Sequence, residues 1–206
     1  GGVYMALMDP YGLELFSVQA WGLLFALAST GFIIGGAVIG RFGLGRNPLR
    51  TMLVVVMVMG LIGATFTLRE WGWLYVVGIW LYMCLIPAVE AAEQTVIQRV
   101  VPLERQGRVF GFALAFEASA APVTALVVAP LAEVWIIPYA RSEAGAAVLG
   151  PWLGEGTARG IALVFLGAGL IMVVAAALAF LTPVYRRVSV EYALAASGET
   201  ADHPAG

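Results

Sequence analysis

The chain has 206 residues, 61% of them hydrophobic and only 12% charged, with a net charge of −2. A soluble domain is nearer half apolar and a quarter charged. These values point to lipid as the solvent and leave no bulk case for nucleic acid or an acidic partner. All eleven basic residues are Arg, and the single cysteine, Cys84, excludes an internal disulfide and a Cys-rich metal site.

The chain opens Gly-Gly-Val-Tyr, without the basic, apolar and small-residue regions of a signal peptide. Its apolar stretch Gly1–Met8 reads as the end of a helix whose beginning is missing. A spanning helix needs about 20 mostly apolar residues. Five segments meet that length: Ala20–Gly40, Thr51–Leu68, Trp71–Ala92, Val109–Leu131 and Gly160–Leu181. Ten-residue alternating segments separated by turns are absent, which argues against a barrel. Between the last two spans, Ile137–Arg159 reads as a long irregular loop, broken by Pro138, Gly145, Gly150, Pro151, Gly154 and Gly156. Residues 188–206 read as a disordered tail, most clearly over Ser197–Gly206, which is short, polar and without a periodic apolar face.

The arginines are unevenly shared between the connections. Arg41, Arg46, Arg50, Arg99, Arg105, Arg108, Arg186 and Arg187 fall on one side, against Arg69, Arg141 and Arg159 on the other, eight to three. Positive loops stay cytoplasmic, so a multi-pass membrane protein with a cytoplasmic C-terminus is expected; the absence of Lys hints at a GC-rich bacterial genome, and so at a bacterial cytoplasmic membrane. Trp21, Trp71, Trp73, Trp135 and Trp152 fall near the opposite boundary, as an aromatic belt would.

Two connections carry recurrent small residues. The first span and its loop contain Gly31-x-x-x-Gly35, then Gly36-x-x-x-Gly40-Arg41-x-Gly43 and Arg46. Glycines four apart let helix backbones approach closely. The second loop runs Pro102-Leu-Glu104-Arg105-Gln-Gly107-Arg108-Val-Phe-Gly111, where Glu104 and Arg108 can pair on one helix face. On residues alone, both stretches also suit plain helix packing and a positive-inside turn.

Together, their order and spacing resemble the major facilitator superfamily. Gly36, Gly40, Arg41, Gly43 and Arg46 look like the family's motif between the second and third helices of each six-helix half. Arg105, Gly107, Arg108 and Gly111 are similar to its connection between the fourth and fifth. The continuation from Ala121-Pro122 to Ala129-Pro130 looks most like macrolide-efflux-like, multidrug and siderophore exporters. The family motif usually carries Asp where this chain has Gly40. The resemblance implies that residues 1–187 are the C-terminal six-helix half of a twelve-helix transporter, its first helix truncated and its N-terminal half absent. It also implies proton-coupled export of a small amphiphilic molecule such as a drug, with no cofactor.

Charges within the spans carry the sharpest functional expectation, because an acidic residue at a helix centre costs about 2.5–3.5 kcal/mol to insert. Glu117 lies nine residues past Arg108, roughly 14 Å deep at about 1.5 Å per residue, and so near the midplane. Of its helical neighbours Ala113, Leu114, Ala120, Ala121 and Thr124, four are small or polar, which suits a packed face or a cavity wall. Glu117 is therefore expected to be the principal proton-coupling residue and Glu90 a weaker one. The bland alternatives are an interhelical hydrogen bond for Glu117 and loop pairing for Glu90 and Glu93. Pro87 and Pro122 each remove a backbone donor and are expected to kink their helices beside these carboxylates. The chain lacks Lys, hence a P-loop, and lacks HExxH and any His/Cys cluster. An enzyme is not expected. The rival readings are a non-transporting membrane scaffold and an inactive truncated product.

Overall fold

The computed structural model describes residues 2–123, 126–127, 129–153 and 156–197. Within them the chain is helical throughout, in ten α-helices and no strands. These are α1 (Gly2–Leu15), α2 (Val18–Phe42), α3 (Pro48–Thr65), α4 (Gly72–Val100), α5 (Leu103–Val123), α6 (Ala129–Leu131), α7 (Ile137–Arg141), α8 (Glu143–Leu153), α9 (Gly156–Leu181) and α10 (Pro183–Ser197). A π-helical turn, Ala132–Ile136, lies between α6 and α7. Four stretches are long and apolar enough to cross a membrane: Val18–Phe42, Pro48–Thr65, Gly72–Val100 and Ala158–Leu181. The protein is an all-α membrane protein.

Four of the five expected spans overlap these stretches, and the exception is instructive. The fourth, Val109–Leu131, is not among those four: α5 starts early, at Leu103, and so takes in Glu104, Arg105 and Arg108 besides Glu117. Past Val123 the described residues wind as π turns and short helices, and Thr124 lies outside them. The first helix does not end at Met8 but runs to Leu15 with Pro10 inside it. The expected irregular loop is also helical, as α7 and α8. Two features explain this. Ala144, Ala146 and Ala147 are strong helix formers, and Ser142 Oγ accepts from Gly145 N at 3.1 Å at the α8 start. Gly145 is needed there because a Cβ would strike the Tyr139 carbonyl. Likewise, residues 188–197 are helical rather than disordered, because α10 buries Tyr192; residues 198–206 lie outside the described chain.

Packing is organised around α4, which lies against both α2 and α3, while α3 also packs along α9. Tyr4, Met8 and Tyr11 of α1, at helical spacings of four and three, are all buried on one face. Tyr4 stacks on Phe165 of α9 with centroids 5.2 Å apart and planes 7° from parallel. Tyr75 Oη of α4 donates to the Met8 carbonyl at 2.6 Å, and Trp21 Nε1 donates to Asp9 Oδ1 at 3.0 Å. The aromatic cluster Tyr4, Tyr11, Trp21, Phe66, Tyr75 and Phe165 therefore fastens one end of the bundle.

Glycine governs the long seams. At Gly31 a Cβ would stand 2.5 Å from the Trp80 carbonyl oxygen, and at Gly35 it would collide with the Cys84 carbonyl. The expected Gly31-x-x-x-Gly35 contact is thus the α2–α4 seam. A seam invisible as a motif joins α3 to α9, where a Cβ at Gly60 would stand 2.8 Å from the Gly169 carbonyl oxygen.

Candidate functional site

Both loop motifs lie at the end of the bundle opposite the aromatic cluster. Gly43 ends α2 at φ +70°, its N–H donating to the Ile39 carbonyl, and Gly45 follows at φ +73°. Positive φ is costly for any residue with a Cβ, so these two glycines are required by the turn. Asn47 then caps α3, its Oδ1 accepting from Arg50 N at 3.0 Å, with Pro48 in the first turn. Thr51 Oγ1 donates back to the Leu44 carbonyl at 2.8 Å and closes the loop. Arg41 and Arg46 are exposed around it. Gly36 and Gly40 have nothing within 4 Å of where a Cβ would stand, so they face open space and not a neighbouring helix of this chain.

The second motif is built differently. Gln106 Nε2 donates to the carbonyls of Gln98 and Val101, each at 2.9 Å, and so ties the start of α5 to the end of α4. Arg105 and Arg108 are exposed, and Gly107 and Gly111 again face open space. Among the described residues, no helix packs closely against these two glycines.

Between α4 and α5 lies a cavity of about 310 Å³, lined by Glu90, Glu93, Gln94, Phe110, Ala113, Leu114 and Glu117. The sequence spacing explains the convergence. Residues 90, 93 and 94 share one face of α4, and residues 110, 113, 114 and 117 share one face of α5. No basic side chain lines the cavity. Glu117 and Glu90 are exposed to it and Glu93 is half-buried. Three carboxylates from two helices thus share one chamber. Among the described residues, no three His, Cys, Asp or Glu side chains are grouped to hold a metal ion.

Glu117 and Glu90, singled out separately in the sequence, line the same chamber. Glu90 is 18 residues past Gly72, about 27 Å along α4. Glu93, expected to be a solvated edge residue, is part of the wall. Gln94 and Phe110 were not singled out from sequence, although the signal is present: each lies four or seven residues from a carboxylate already noted. Pro87 is buried inside α4 and Pro122 is exposed inside α5, one turn from Glu90 and Glu117 respectively. Glu133, on the π turn, is exposed and distant in sequence from the chamber. A separate cavity of about 230 Å³ between α2 and α4 is lined only by Leu27, Ala28, Val76, Val77 and Trp80, and offers no titratable group.

The chain matches no family model, no curated protein and no solved structure.

Proposed function

We propose that this chain is one half of a proton-coupled secondary transporter of the major facilitator type, exporting small amphiphilic molecules such as drugs across a bacterial cytoplasmic membrane. The observation that carries the reading is the carboxylate chamber between α4 and α5. An acidic residue in a membrane-embedded bundle is retained where it faces a cavity and handles ions or substrate, and Glu117, on a helix less apolar than the four spans, does face one. Carboxylates in such a chamber exchange protons with the water that fills it. Protonation changes the charge that a bound substrate meets, which is the physical link between proton entry and substrate release.

Two further features support the reading. The Arg-rich connections share one end of the bundle, which the positive-inside rule assigns to the cytoplasm together with the C-terminus. The exposed glycines Gly36, Gly40, Gly107 and Gly111 leave faces of α2 and α5 free for close approach by other helices, as a second half would require. Transport is then a property of both halves, since in such folds the substrate site lies between repeats. The same exposed faces would also serve a non-transporting scaffold, so the test must read chemistry rather than assembly.

Glu117→Gln in the complete protein keeps size and hydrogen bonding while removing titration. Proton-driven efflux in vesicles is expected to collapse with protein abundance unchanged, Glu90→Gln is expected to have a smaller effect, and Glu133→Gln almost none. Wild-type transport by Glu117→Gln under an imposed pH gradient would overturn the role of Glu117 and return the chamber to a structural one.

A further inference from the structure

We propose that α10 is a strap that locks the α2–α3 connection to the end of α4, so that the two loop regions move as one body. The inference does not rest on the transport reading. The strap begins with a fixed corner. Thr182 alone separates α9 from α10; its Oγ1 donates to the Ala179 carbonyl at 2.7 Å and accepts from Tyr185 N at 3.3 Å. The Phe180 and Tyr185 rings meet edge-on at 5.1 Å across the corner. Pro183 opens α10 with its φ already set for a helix. The direction of α10 is thereby set by the end of α9.

From that corner α10 reaches two different elements with one face. Tyr192 is buried; its Oη accepts from Arg99 Nη1 of α4 at 3.2 Å, and the guanidinium lies over its ring at 5.3 Å. Three residues earlier on the same face, Ser189 Oγ accepts from Asn47 Nδ2 at 3.4 Å. Asn47 is the N-cap of α3, so one amide group both holds the Arg50 N–H and grips α10. Arg186, Arg187 and Val190 lie on the exposed side. Arg99 ends α4 and Asn47 caps α3, and α10 bridges these two side chains.

The consequence is a specific coupling: loosening α10 from α4 must also loosen the cap of α3. Hydrogen–deuterium exchange on the full chain in lipid nanodiscs reads this at the Arg50 and Thr51 amides, which Asn47 holds. Arg99→Gln is expected to speed exchange there about fivefold, the size of one net hydrogen bond, although Arg99 makes no part of that cap. Tyr192→Phe, which keeps the ring under Arg99, is expected to give a smaller rise at the same amides. Ser189→Ala should match Arg99→Gln, and the double variant should exceed neither, since both changes cut the same strap. Unchanged exchange at Arg50 and Thr51 in Arg99→Gln overturns the strap. So do fully additive rises in the double variant, or a rise that extends equally through residues 54–59, which would mark a general loss of stability.

Discussion

Helix α4 has two very different neighbours along its length. Against α2 it is close-packed: Gly31 and Gly35 present no side chain, and the backbone of α4 at Trp80 and Cys84 fills the space. Against α5 it leaves a chamber of about 310 Å³ with three carboxylates in its wall. Yet α5 carries glycines four apart as α2 does, Gly107 and Gly111, and these face outward. The same sequence signal marks a closed seam on one helix and an unoccupied face on the other. Small residues permit close approach; which surface uses the permission depends on the rest of the face. On α2 the neighbours of Gly35 direct it at a backbone, whereas on α5 the inward face is already given to Glu117, Ala113 and Phe110.

Breaking the seam gives the largest expected effect. In Gly35→Ala the new Cβ meets the Cys84 carbonyl, a backbone atom that cannot swing aside. Overpacking of this kind costs about 1–3 kcal/mol, so the thermal midpoint in detergent should fall clearly, with Gly31→Ala following it. An unchanged midpoint for Gly35→Ala would show that α2 is not held at that distance. Gly43→Ala comes next. It has open space but a φ of +70°, so the loss is about 1 kcal/mol, and Gly43→Asn, which tolerates that conformation better, should recover part of it. The smallest effect sharpens the contrast. Gly111→Ala has nothing to strike and gains helix propensity, so the stability of this chain alone should stay within about 0.5 kcal/mol. A large loss in the isolated chain would mean that α5 packs inward on its glycine face.

Much of this was legible in the sequence, and the parts that were not share a cause. Composition alone establishes a helical membrane protein, because apolar runs of spanning length have few other uses. Gly31 and Gly35 were legible as a packing face because their spacing is that of a helix. The α3–α9 contact was not, because Gly60 and Gly169 are lone glycines on separate helices and only the fold brings them together. Glu117 stood out in the sequence as a lone acid among small neighbours, but among the described residues only Ala113 of these lines the chamber, beside Phe110 and Leu114, and its acidic company was hidden. Depth counted along each helix separately misses where two helices meet, and α4 continues past Glu93 to Val100. The helical loop at α7 and α8 was missed because Gly and Pro were weighed as breakers while the alanines and the Ser142 cap between them were not.

The unequal lengths of neighbouring helices bear on the surrounding lipid. Helix α3 has 18 residues, about 27 Å, and α4 has 29, about 43 Å, yet they lie side by side. No single hydrocarbon thickness of about 30 Å suits both. The longer helix accommodates by tilting or by carrying its polar end past the boundary, where Gln94, Gln98 and Arg99 are placed to meet water. The shorter one has no such reserve, since it is capped at one end by Asn47 and closed at the other by buried Phe66. Hydrophobic mismatch therefore falls on α3, and a thicker bilayer would be thinned locally at that flank before any other.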